Sequence, residues 1–182
     1  MLVVVGGHSR NVGKTTAIEA ILRATPGRDW WAFKITRHGH GLDSATPGFV
    51  VDEQVNRDGT DTGRYLSAGA RRAFWVRTPQ GLLAAAMPRL RGLFAEAPNV
   101  LAESNSLLDY IEPDLYISLV NFGAGGMKPS ARRFLARADV LVVTGGGEAW
   151  PEVPGDWRTR PRVAISGLGA FIEDFLARPG SA

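Results

Sequence analysis

The chain has no cysteine. Disulfides, thiolate nucleophiles, iron–sulfur clusters and thiolate zinc sites are therefore excluded. It has few lysines, at Lys14, Lys34 and Lys128 alone, so arginine carries most of the positive charge. Histidine is also scarce: His8, His38 and His40 are the complete set. No apolar run is long enough to span a bilayer. The first residues read as a strand, with no basic leader and no signal-cleavage pattern, and the chain is expected to be cytoplasmic. The net charge of +3 across 182 residues is modest. It suits an anionic small molecule and gives no reason to invoke nucleic acid or a membrane as partner. With 45% hydrophobic residues and 21% charged ones, the length suits a single domain with a full core.

What is present begins at the N-terminus. The apolar run Leu2-Val3-Val4-Val5 is followed by Gly6-Gly7-His8-Ser9-Arg10-Asn11-Val12-Gly13-Lys14-Thr15-Thr16. A strand, a glycine-bearing turn and a helix start in that order make a phosphate-binding loop. Its backbone N–H groups and the helix N-terminus converge on an anion. Gly7, His8, Ser9, Asn11, Val12, Gly13, Lys14, Thr15 and Thr16 are the expected phosphate contacts. Lys14 is suited to the outer phosphates, and the Thr15 hydroxyl to Mg²⁺. The spacing permits two readings. Either the loop is one residue longer than usual, or it accepts His8 where the first glycine normally stands. The longer form, Gly-x₅-Gly-Lys-Thr, resembles the loop of dethiobiotin synthetase.

Strand and helix signals then alternate, which predicts an α/β fold: a three-layer, mainly parallel sheet flanked by helices. Strands are expected at Leu2–Val5, Trp30–Ile35, Arg72–Thr78, Asn99–Glu103, Asp114–Val120, Asp139–Thr144 and Arg162–Ser166. Thr36 to Thr60 reads as one long loop, with Phe49-Val50-Val51 as an apolar island, of a length that is usually functional or mobile. A short helix is expected over Asp61–Ala68. A longer one should open at Pro79 and be kinked or divided by Pro88.

Several polar groups fall where such a sheet would deliver them to a ligand. Glu103 ends its strand, where a carboxylate can hold Mg²⁺ or orient an attacking nucleophile. Lys34 ends another and is placed to neutralise phosphate or to pair with Asp61 or Glu103. Asp58-Gly59-Thr60-Asp61-Thr62-Gly63-Arg64 offers carboxylates, hydroxyls and an arginine for a hydrated metal or a polyanion, while Thr60 or Asp61 also suits a helix cap. Asn121-Phe122-Gly123 or Thr144-Gly145-Gly146-Gly147 are candidates for base contacts. His38 and His40, with Asp43, suit either a substrate loop or a transition metal.

Four of these stretches together resemble the molybdopterin-guanine dinucleotide biosynthesis protein B (MobB) family: the phosphate loop with Gly-Lys-Thr-Thr, Lys34-Ile35-Thr36-Arg37-His38-Gly39-His40, Asp61-Thr62-x-Arg64…Ala68-Gly69-Ala70, and strand-end Glu103. Ser104 follows Glu103 where that family has glycine, which marks a divergent member. The resemblance implies a Mg²⁺-dependent P-loop protein that binds GTP, slightly favoured over ATP, and hydrolyses it slowly. It also implies a homodimer that assists a nucleotidyltransferase or acts on a pterin cofactor. Lys14, Glu103 and Asp61 would be its catalytic groups, Thr15 and Glu103 its metal ligands, and Lys34, Arg64 and Asn121 further nucleotide contacts. An ATP-dependent small-molecule kinase or ligase, or a nucleotide-gated adaptor without turnover, would use the same residues.

Overall fold

The computed structural model describes residues 1–36, 48–56, 58–79, 81–147, 150, 153 and 155–178. Val3, Val4 and Val5 are fully buried, and the strand they build, β1 (Leu2–Gly7), lies inside the sheet. Around it run α1 (Lys14–Ala24), β2 (Trp30–Thr36), β3 (Val50–Gln54), α2 (Asp61–Ala68), β4 (Arg72–Arg77), α3 (Leu83–Glu96) and β5 (Asn99–Glu103). The chain continues through β6 (Leu115–Asn121), α4 (Pro129–Phe134), β7 (Val140–Gly145), β8 (Arg162–Ala164) and α5 (Leu168–Leu176). Among the described residues the strand order is β3-β4-β2-β5-β1-β6-β7-β8. Every neighbouring pair is parallel except β3 with β4.

Alternation along the strands divides the interior in two. On one face, Val3 and Val5 of β1 meet Ile18 and Ile21 of α1, Tyr65 and Leu66 of α2, and Leu168 and Ile172 of α5. On the other, Val4 meets Leu83, Met87, Leu90 and Leu93 of α3, with Phe134 and Trp157. Helix, sheet and helix are the three layers predicted. Each buried aliphatic or aromatic side chain contributes roughly 1.5–3 kcal/mol, so the two cores fix the strand ends firmly.

The structure corrects three expectations. First, Val50–Gln54 is a strand, not part of a loop; it runs antiparallel to β4 with Val51 opposite Val76. The Asp-Glu-Gln half shows no apolar alternation, and diagonal ion pairs from Asp52 to Arg77 and from Glu53 to Arg72 help hold it. Second, α3 begins at Leu83, not at Pro79, because Gly81 adopts φ 86° and takes the chain out of helical geometry. Third, of the kink or division expected at Pro88, the division is absent: α3 continues through it to Glu96. The segment carrying His38, His40 and Asp43 lies outside the described residues.

Candidate functional site

β1 runs two residues further than its apolar stretch, with Gly7 registered against Leu119 of β6. The His8 N–H then donates to the Leu119 carbonyl at 3.0 Å. The turn proper therefore spans His8 to Gly13. His8 thus stands at the head of the turn. Asn11 (φ 57°) and Gly13 (φ 100°) take the left-handed conformation that lets the chain curl before α1.

The loop is clamped from β5's side of the sheet. The Gly7 N–H donates to Asn105 Oδ1, and Asn105 Nδ2 donates to the Gly7 carbonyl, both at 2.9 Å. Gly6 permits this approach, since a Cβ there would sit 2.1 Å from Asn105 Oδ1. Lys14 folds back over the loop, its Nζ donating to the Ser9 carbonyl at 3.2 Å.

Behind the loop a charged cluster forms where β2, β5, α1 and α2 meet. The Thr15 hydroxyl donates to Asp61 Oδ1 at 2.8 Å and lies 3.2 Å from Glu103 Oε2. Lys34 Nζ donates to Glu103 Oε1 and pairs with Asp61 Oδ2 at 2.9 Å. Tyr65, fully buried, donates its hydroxyl to Glu103 Oε2. Lys14 Nζ stands 3.9 Å from Glu103 Oε1. Burial pulls the Lys14 ammonium below its usual range, and nearby Lys34 adds to that, against the pull of Glu103 and Asp61. Burial acts on Lys34 too, but the Glu103 and Asp61 carboxylates outweigh it and raise its pKa. Burial pushes the Tyr65 phenol far up, with Glu103 adding to the effect, so it stays a hydrogen-bond donor. Asp61 is held below the usual carboxylate range; burial opposes this, but Lys34, Thr15 and Arg64 prevail.

α2 is set by its cap. Thr60 Oγ1 accepts from the Gly63 N–H at 3.2 Å, and Asp58 Oδ1 accepts from the Thr60 N–H at 3.0 Å. The cap is thus Thr60, which leaves Asp61 free to face Thr15 and Lys34. One turn on, Arg64 pairs with Glu19 of α1 at 2.5 Å.

A cavity of about 590 Å³ opens over this cluster at the C-terminal edge of the sheet. Of the residues expected to contact a ligand, Gly7, Asn11, Gly13, Lys14, Thr15, Thr16, Lys34, Asp61, Arg64 and Glu103 line it. Four anticipated contacts lie elsewhere. Ser9 gives its carbonyl to Lys14. Val12 is buried beside Gly7. The His8 ring is buried against Trp150, with centroids 5.1 Å apart. Asn121 Oδ1 accepts from the Gly123 N–H at 3.0 Å, and the side chain covers Gly145. Asn105 and Tyr65 are the participants that sequence reasoning missed. Asn105 carried a signal, being polar and two residues beyond Glu103. Tyr65 carried none, since a tyrosine on an amphipathic helix reads as core.

Comparison with solved structures finds chains of similar architecture. HypB from Helicobacter pylori, in complex with nickel, superposes with a TM-score of 0.54 at 13% identity, covering 96% of this chain and 85% of that one. The apo form of LpxK from Aquifex aeolicus, in complex with ATP, gives 0.51 at 16% identity over 88% of this chain. Here the chain spans about half of its counterpart, 52%. The fold is that of a P-loop NTPase. No protein-family model and no curated protein matches the sequence. In this P-loop NTPase fold the cleft lies beside β1, β2 and β5, where an open parallel sheet presents its ligand crevice. No helix among the described residues is long and apolar enough to cross a membrane.

Proposed function

We propose that the cleft binds a nucleoside triphosphate together with Mg²⁺ and hydrolyses it slowly. The observation that carries this reading is the convergence of Lys14, Thr15, Lys34, Asp61 and Glu103 on one cavity at the phosphate loop. The Thr15 hydroxyl and the Asp61 and Glu103 carboxylates form an all-oxygen donor set, which fits a hard cation such as Mg²⁺. When bound, the ion would neutralise charge between the β- and γ-phosphates. The loop amides and Lys14 would cradle the phosphate tail. Glu103, oriented by Tyr65 and held in a dry environment, would position the attacking water.

Titration calorimetry with GTP and ATP, each with Mg²⁺, tests the assignment. Lys14→Ala is expected to weaken triphosphate binding by roughly 2–5 kcal/mol, the cost of truncating a desolvated charge contact. Unchanged affinity for both nucleotides would remove it. The MobB resemblance supports GTP over ATP, a cytoplasmic homodimer, and an accessory role to a nucleotidyltransferase in molybdenum-cofactor assembly. Mass spectrometry of the nucleotide retained on purification checks the first of these.

One observation favours a second reading, a small-molecule kinase or ligase. The cavity continues past the loop to Ser104, Ser106, Lys128 and Ser130, which leaves space for a second substrate. Nucleotide turnover that rises many-fold with one metabolite would support it. Flat basal turnover across a metabolite panel would count against it.

A further inference from the structure

The oxygens best placed to hold a divalent cation are already engaged by an ammonium group. Lys34 Nζ bonds Oε1 of Glu103 and sits 2.9 Å from Oδ2 of Asp61. The second oxygen of each carboxylate is taken by the Thr15 or Tyr65 hydroxyl. This placement does not depend on a loop. Lys34 and Glu103 are registered partners on adjacent parallel strands, so the sheet itself sets them side by side. Lys14 is a weaker candidate for the same role, since its Nζ is 3.9 Å from Glu103 and bonds the Ser9 carbonyl.

The cluster balances: Lys14 and Lys34 stand against Asp61 and Glu103. Its Glu103 side is poorly hydrated, with the Lys34 side chain 18% exposed and that of Glu103 4%, while the Asp61 side chain is 40% exposed. A divalent ion arriving alone would meet two ammonium groups where screening is weak, and their repulsion there is several-fold stronger than in bulk water. A triphosphate reverses this. It adds more negative charge than the ion adds positive, and its oxygens offer the displaced ammonium a new partner.

We propose that Lys34 is a built-in counter-cation. It holds Asp61 and Glu103 in register while the cleft is empty, denies the site to a divalent ion, and transfers to a phosphate oxygen when the nucleotide enters. The inference rests on the nucleotide reading above and adds a coupling to it. Cation and triphosphate must each strengthen the binding of the other, by the same factor.

Manganese binding to the nucleotide-free protein, followed by electron paramagnetic resonance, tests this without any turnover. Wild type and Lys34→Arg are expected to bind Mn²⁺ weakly. Lys34→Met and Lys34→Gln should bind it at least tenfold tighter, and a Lys34→Gln/Glu103→Gln double variant should lose the gain. Circular dichroism and urea melts establish that each variant is folded; Lys34→Gln keeps a polar tip and decides the matter if Lys34→Met is unstable. Saturating non-hydrolysable triphosphate should raise the wild-type Mn²⁺ affinity at least tenfold, with a smaller rise in Lys34→Gln. Neutral variants that bind Mn²⁺ no tighter than wild type would overturn the counter-cation. A wild-type chain that binds no triphosphate would instead overturn the nucleotide reading, whatever the Lys34 variants do.

Discussion

His8 is the residue whose chemistry and placement agree least. It heads the phosphate loop, yet it is 1% exposed and, among the described residues, neither ring nitrogen has a well-formed hydrogen bond. Burial lowers its pKa below 6.5; the Leu119 backbone pulls the other way, and Lys14 and Lys128 add to the lowering. The sign follows. Above pH 6.5 the ring is neutral in both folded and unfolded chains and contributes no pH dependence. Below it the unfolded chain takes up a proton that the folded chain refuses, so stability drops until pH reaches the folded-state pKa. Urea melts of His8→Phe should therefore show a shallower loss on acidification than wild type, with little change at neutral pH. An identical slope would mean that the ring is not the group responsible. Asn105 makes the opposite case, a side chain with each polar group used. Truncation to Ala would strip the Gly7 N–H and carbonyl of their partner. The expected cost is about 1–3 kcal/mol in urea melts. Triphosphate affinity should fall as well, because the loop loses its clamp.

At the scale of elements, Pro88 offers the simplest measurement. It lies on the exposed side of α3, beyond the first turn, where it removes one helical hydrogen bond. Pro88→Ala should raise stability by about 1–3 kcal/mol in equilibrium urea unfolding. No gain would mean that the helix has adapted fully to the ring. The same helix shows what local sequence conveys. Its apolar spacing at Leu83, Ala86, Leu90 and Leu93 was legible, because burial repeats with the helical period. Its start was not, because that depends on the backbone angle of Gly81. β1, α1 and α2 were legible for related reasons: an apolar run, a Gly-Lys-Thr turn, and a Thr-led cap. β3 was illegible because its polar half is held by a neighbouring strand and by ion pairs that only the folded sheet creates.

Across the whole molecule, the site comes from strand order. β2, β5 and β1 lie side by side, so Lys34, Glu103 and Gly7 end together although far apart in sequence. Each residue was readable as a candidate, but their adjacency was not, since any order of these strands would satisfy the same hydrophobic pattern. That convergence has a thermodynamic cost, and Lys14 carries part of it. Its ammonium is less stable in the fold than in the unfolded chain, because burial lowers its pKa below 10.5. At neutral pH it therefore subtracts from the stability of the empty protein. Lys14→Met should leave the melting temperature of the empty protein unchanged or raise it. The proposed ligand should restore the balance in wild type only. At a hundredfold excess over Kd a triphosphate adds about 2.7 kcal/mol, or roughly 5–11 °C in Tm for a domain of this size. Thermal melts of both proteins, with and without Mg²⁺ and nucleotide, separate the two effects. A Lys14→Met chain that melts well below wild type when empty would show that Lys14 serves the fold. One that gains as much as wild type on adding nucleotide would show that Lys14 does not serve the ligand.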